Sequence, residues 1–514
     1  MLSSISRIWK LYSPLEKRNI CFYIIGIMLY KFGLEAFNGS IVTLATNRYG
    51  QEAHHHNLTA RTFERVGLLT GLNQAFQCIG SILIAPLTKR WPTRTVLSIS
   101  IFIFAIFSAI LMIVDAATGG FIKPVDFVEI DEHDFRYYGK YNTNGIIPIY
   151  CITGIAYGMV ELIRRVIPRD IVGDDQEKLQ KMDALVHIFY EIAGVTGAFT
   201  TGLGLIPRLG NNYSFIITPI LFTLAAIVWF FITVVGFVND DNDNDQQREH
   251  YVKSLYRGLI DFIQSFFIGA KIIFTHRKFI WLWPCYALGL YAHRYIENGI
   301  APQIAFSYLQ QSEWSQIIVG ASNFGELLGA IFVLIFGNFI RTPLPWSRLD
   351  SLIVLLVWYI PFYHPRANNV KYAWIIAASY IPIGFGSACD DIALNSFLQS
   401  SLSRLESKHK HISALGAVAS FLYSSYIIIY AILNPLLGKY IDGVHDSTDS
   451  IRSALFYTVA VQMTVISCIV FFSTFIPKGA LSCNPTLAPE KEIDNMETIA
   501  TTKEIDDSPE MVRF

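Results

Sequence analysis

Long apolar runs alternate with short polar segments along almost the whole chain. A helix needs about 20 apolar residues to cross a bilayer core, and twelve runs meet that need, at roughly 19–46, 64–88, 95–115, 146–164, 183–206, 213–237, 279–300, 314–339, 349–364, 371–398, 412–436 and 453–476. The ninth run is short and Asp390 and Asp391 interrupt the tenth. The pattern predicts an all-α polytopic membrane protein with twelve transmembrane helices. A polar stretch at 239–250 (NDDNDNDQQREH) separates the sixth run from the seventh and reads as disordered. After it, 251–274 has the spacing of an amphipathic helix lying on the inner membrane face. The expected organisation is a cytosolic N-terminus (1–18), a six-helix bundle (19–237), a cytosolic linker (238–278), a second six-helix bundle (279–476) and a largely disordered acidic tail in the cytosol (477–514).

Composition agrees with this class. The 514 residues are 52% hydrophobic and 16% charged, with mean hydropathy +0.39, which is too apolar for an ordinary soluble domain. A net charge of −1 gives no footprint for nucleic acid. Seven cysteines are scattered without a CxxC pair or a disulfide framework. No nucleotide-binding loop is present, so neither an enzyme nor an ATP-driven pump is expected, and no cofactor is implied. His54, His55 and His56 lack the carboxylate or cysteine partners that a metal site needs.

Charge sets the orientation. With the N-terminus inside, the inner loops carry Lys17, Arg18, Lys89, Arg90, Arg94, Arg164, Arg165 and Arg169, whereas 115–145 is acidic. Both termini are then cytosolic. Asn57 begins the sequon Asn57-Leu58-Thr59 in an outer loop and is the expected glycosylation acceptor.

The chain repeats itself. The second run holds Gly71, Gln74, Gln77 and Gly80, and the eighth holds Gly320, Asn323, Glu326 and Gly329. Each set reads small, polar, polar, small, at every third residue. The phrases LYKFGLEAFNG (29–39) and LYAHRYIENG (290–299) share Leu-Tyr, a cation, Glu and Asn-Gly. KRWPTR (89–94) and RTPLPWSR (341–348) follow the paired runs. Two parallel six-helix pseudo-repeats follow, related by an axis along the membrane normal. This is the major facilitator arrangement.

Embedded charges mark the candidate site. A charge at the bilayer centre costs about 2.5–3.5 kcal/mol, so Lys31 and Glu35 facing lipid would cost about 5–7 kcal/mol together. They belong on an interior face with Asn38, one turn further on. Glu35 is the first candidate to carry a coupling proton, with Glu326, Glu191 and Asp390 in reserve. Arg294 and Glu297 form a second pair, expected near the outer rim. Lys31, Asn38, Gln74, Gln77, Tyr190, Arg294, Glu297, Asn323 and Tyr423 are the candidate substrate-binding residues. Amides, charges and aromatic rings together suit a polar solute with several hydroxyl groups. His187 reads as a hydrogen-bonded core residue. Candidate gate residues are Lys89, Arg90 and Arg94, with Glu161 placed one turn before Arg164 and Arg165 to pair with them.

The segments IPIYCITGIAYGMVELIRRVIPRDIVG (147–173), MDALVHIFYEIAGVTGAF (182–199) and RLGNNYSF (208–215) resemble a fungal branch of the major facilitator superfamily. KFGLEAFNGS, ASNFGELLGA and TPLPWSRLD support the same resemblance, which spans about 18–484. Two departures stand out. The basic loops keep their cations but lack the Asp and internal Gly of the superfamily's usual motif. Within the branch the chain is most similar to the N-acetylglucosamine transporters. That similarity implies a monomeric plasma-membrane protein importing an amino sugar, N-acetylglucosamine, with protons by alternating access. The other readings are a proton-coupled exporter of drugs or metabolites and a transport-inactive nutrient sensor signalling through the tail.

Overall fold

The computed structural model describes residues 9, 11–56, 61–88, 91–127, 134–173, 176–233, 251–337, 339–340, 342–402, 414–448, 450–482 and 484, with some helical side chains, Arg165 among them, left out. Asn57, Lys89, Arg90, the 239–250 stretch and the tail beyond 484 lie outside these residues. All regular structure described is helical.

The first half comprises α1 (Pro14–His56), α2 (Thr62–Thr88), α3 (Thr93–Ala117), α4 (Ile146–Val172), α5 (Gln176–Thr200, extended by Thr201–Leu205 and Ile206–Leu209) and α6 (Ile217–Phe230). A linker helix, α7, runs over Tyr251–Thr275. The second half comprises α8 (Pro284–Leu288, Gly289–Tyr295, Ile296–Ile300 and Ala301–Ser307), α9 (Ser315–Phe336), α10 (Leu344–Val354, then Leu355–Phe362), α11 (Val370–Leu402), α12 (Ala414–Thr448) and α13 (Arg452–Leu455, Phe456–Val461 and Gln462–Ser473).

Among the described residues, nine of these helices are long and apolar enough to cross a membrane. Twelve spans form the two halves because four others are bent or broken. Helices α5 and α6 meet at 119° through a turn at Gly210, whose φ of +77° suits glycine. Wide π turns interrupt α8 at both ends of its Gly289–Tyr295 segment. The short ninth span relaxes into a tight 3₁₀ turn around Pro361, which cannot donate a helical hydrogen bond. By contrast, Asp390 and Asp391 leave α11 continuous. The first span outruns its apolar stretch at both ends. One of the nine is the linker helix α7, which packs Phe266, Gly269 and Phe274 on the first turns of α12 and exposes Tyr256, Leu259, Ile263 and Phe267.

The duplication seen in the small-polar-polar-small repeats reappears as packing. Helix α2 lies along α4, and α9 lies along α11. Helix α2 also crosses to α12 of the other half, and α9 crosses to α5. The repeated glycines occupy equivalent places. Gly80 lets α2 approach the Ile155 carbonyl of α4, and Gly329 lets α9 approach the Phe385 carbonyl of α11. Gly71 faces Ala431 on α12, and Gly320 faces Phe199 on α5. One surface of small residues therefore builds both the inside of each half and the seam between halves, where a side chain would hold the backbones apart. Two separate apolar cores, one per half, flank that seam.

Candidate functional site

The embedded charges converge where the halves meet. On α1, the Lys31 ammonium lies 2.6 Å from a Glu35 oxygen and 4.5 Å from the centre of the Tyr190 ring on α5. Arg164 of α4 covers the same tyrosine at 4.7 Å. Glu161 binds Arg164 at 2.6 Å and accepts a hydrogen bond from the Tyr30 hydroxyl at 3.0 Å. Tyr190 thus lies between two cations, held by ring-face attraction as well as packing.

The second half supplies the facing group. On α8, Arg294 binds Glu297 at 3.0 Å. Glu297 is 2% exposed, because the π turns fold this stretch of α8 into the core. His293, which the sequence reading passed over, stands 2.8 Å from Glu326 of α9 and 3.4 Å from Glu297. Its signal was the one-turn spacing to Glu297. Arg294 is surrounded by the bundle, yet 41% of its side chain is accessible, so it borders an internal cavity. Tyr157 of α4 and Tyr426 of α12 are its neighbours from either side of the seam, and Tyr157 also lies near Tyr423.

Charge balance singles out two residues. Lys31, Arg164 and Arg294 each have a carboxylate partner three or four residues away on the same helix. Glu191 and Glu326 remain, on α5 and α9, one of the two helix pairs that cross the seam. One turn from each, Gly194 and Asn323 touch. Glu326 and Lys31 are the foremost charged neighbours of Glu191. Glu191 is 1% exposed, and its Oε2 has no hydrogen-bond partner among the described residues. The Asn323 Nδ2 is likewise buried without one. A buried polar group left in this state is costly unless something else satisfies it, such as a proton, a water or a solute.

Other predicted residues take different places. Asn38 accepts a 3.0 Å hydrogen bond from Tyr150. Gln77 donates to Asn73, which donates to the Tyr150 carbonyl at 2.7 Å. Asn73, absent from the predicted set, is buried here together with Gln77, and Gln74 on the same helix joins none of these bonds. Asp390 lies away from the cluster, bonded by Ser347 inside the second half. The His187 Nε2, expected to be hydrogen-bonded, has no partner among the described residues. Of the expected gate residues, Glu161 and Arg164 pair as the spacing predicts, while Lys89, Arg90 and the Arg165 side chain lie outside what is described. Arg94 clasps the Ile232 carbonyl just after α6, and Arg348 clasps the Thr474 and Ala480 carbonyls after α13. Each fastens its own half, as do Glu161 and Arg164, and none of these bonds crosses the seam.

Bonds that cross the seam gather near the end of the bundle where α2 begins. Asn434 donates to Thr70 at 2.8 Å, and the Phe63 and Glu64 amides donate to Asp442. Gln316 of α9 fills the space beside Gly39 and Gly202. His293, Glu297 and Glu326 bring three ligand atoms within 4.8 Å of one another, the one such group among the described residues. Within this group His293 bonds Glu326, and Arg294 pairs with Glu297.

Two pseudo-symmetric six-helix halves, with paired charges and two surplus acids at their seam, define a secondary transporter. The chain belongs to the Major Facilitator Superfamily, whose sequence profile matches residues 23–415. A D-xylose-proton symporter has the same fold, with a TM-score of 0.59 and 12% identity over 91% of this chain and 98% of that one. A transporter of the POT family in complex with a thioalcohol-conjugated peptide aligns with TM-score 0.58 and 11% identity, covering 90% and 97%. The nucleoside transporter NupG, in a point-mutant form, gives 0.51 and 13%, covering 89% and 98%. Among curated proteins, no sequence matches significantly.

Proposed function

We propose that this transporter imports a neutral amino sugar, N-acetylglucosamine, together with a proton, across the plasma membrane. One observation carries the proton: Glu191 and Glu326 are the two cluster acids left without a permanent cation, and they sit on opposite sides of the seam. Two carboxylates repel across a closing interface, and a proton removes that repulsion. Binding a proton there favours closure of the halves, the differential affinity that alternating access requires. Glu35, paired with Lys31 at 2.6 Å, serves binding.

The sugar rests on the cavity's chemistry and on the resemblance of 147–173, 182–199 and 208–215. Arg294 offers donors, Asn323 a free amide, and Tyr157 and Tyr423 ring faces for an apolar sugar face. The cytosolic termini and glycosylated Asn57 belong to the same reading. Uptake of radiolabelled N-acetylglucosamine into a transporter-deficient host is expected to appear with this chain and to rise as external pH falls. Uptake of other solutes alone, or loss of toxic compounds from cells without sugar entry, overturns the reading in favour of another substrate or an exporter.

A further inference from the structure

A second pair of buried acids lies between the central cluster and the N-terminal ends of α8 and α10. Asp350 of α10 and Asp390 of α11 are 6% and 5% exposed, and Asp350 is the foremost charged neighbour of Asp390. Ser347, in the first turn of α10, donates to Asp390. Asp350 presses against Gly386, whose missing side chain makes room for it. Arg348 turns away to Thr474 and Ala480. The groups acting on the pair are His293 and Cys285 from α8 and Cys389 and Asp391 from α11, with no permanent cation among the described residues.

The pair is joined to the cluster through one residue. His293 gives its Nε2 to Glu326 and Glu297, while its Nδ1 is buried without a partner among the described residues. The Asp350 Oδ1 is buried in the same state, and His293 is the charged group that acts on Asp350 from outside the pair. An imidazole can take a proton at one nitrogen and release it from the other. Cys285 lies two turns before His293 on α8, beside the same two acids, so α8 runs along the whole path.

We propose that Asp350 and Asp390 form the exit route of the coupling proton. The proton passes from Glu326 through His293 to Asp350 and Asp390, and leaves near Ser347, inside the second half and apart from the solute's path between the halves. This rests on the proton-coupled reading above. One proton moves at each step and no other bond changes.

The test uses the full chain in liposomes, with labelled N-acetylglucosamine and an interior pH dye. The wild type should accumulate sugar against its gradient when the outside is acidic. Asp350→Asn and Asp390→Asn should lower that accumulation and the matching proton entry by about a hundredfold, the effect of losing one proton-transfer group. Exchange of labelled for unlabelled sugar needs no proton turnover and should stay within about twofold of wild type, which also reports folding. Asp350→Glu should restore part of the accumulation. If both Asn variants still accumulate sugar, the route is wrong. If sodium rather than acid restores accumulation in the wild type, the acids hold a metal cation and the route is likewise wrong. A wild type that exchanges sugar but never couples it to pH overturns the parent reading instead.

Discussion

Asn434 of one half donates a 2.8 Å hydrogen bond to Thr70 of the other, 364 residues away in sequence. The contact survives because both helices are stripped of side chains around it. Gly67 faces the Asn434 carbonyl and Gly438 faces the Phe63 carbonyl. This is the seal of the conformation described here.

The seal should fail when a side chain enters it. In Gly438→Val the new Cβ overlaps the Phe63 carbonyl, and overpacking of this kind costs about 1–3 kcal/mol. That shifts the balance of the two states about tenfold or more. Uptake should fall, and a cysteine placed at Thr70, which meets Asn434 across the seam, should react faster with a membrane-impermeant thiol reagent added outside. Unchanged labelling would show that α2 and α12 do not close the path.

The three central carboxylates should separate by pH profile. Uptake by a proton symporter rises as external pH falls, so removing the proton carrier flattens that rise. Glu191→Gln and Glu326→Gln should leave uptake nearly independent of pH between about 5 and 8, a window of roughly three decades in proton activity. Glu35→Gln should lower the rate while keeping the slope. A flat profile for Glu35→Gln alone would return the proton to α1.

Lys31 and Glu35 should prove coupled. Removing one partner of a buried pair costs about 3–5 kcal/mol, while removing both is often nearly neutral. Lys31→Met should lower the melting temperature in detergent by several degrees, and Lys31→Met with Glu35→Gln should regain most of it. Additive losses would mean the 2.6 Å pair contributes little.

Asp115 tests a structural acid far from the cluster. It accepts hydrogen bonds from Asn212 at 2.8 Å and the Gly139 amide at 2.9 Å, tying α3 to the following loop. Asp115→Ala orphans the buried amide, at about 1–3 kcal/mol. Melting should drop while the substrate profile and its pH slope stay unchanged. An altered slope would extend the proton machinery to this region.

The apolar runs and repeated glycines made the fold readable, because bilayer thickness and close helix approach each demand a fixed pattern. Lys31–Glu35 was readable as well, since a helix places residues four apart on one face. Tertiary facts were not. Only packing places Glu297 in the core, Asn73 rather than Gln74 in the amide network, and Asp390 beside Asp350. His293 was missed for a related reason. A lone histidine in an apolar run looks ordinary until Glu326, 33 positions later, is seen against it.

The ion pairs of the cluster also bear on how the chain is made. Lys31–Glu35, Glu161–Arg164 and Arg294–Glu297 each form within a single helix. Every permanent central cation therefore enters the bilayer already neutralised, before any other helix arrives. Glu191 and Glu326 have no such companion three or four residues away. The nascent chain is spared the cost of its cations at insertion, and only the two acids that meet at the seam await assembly.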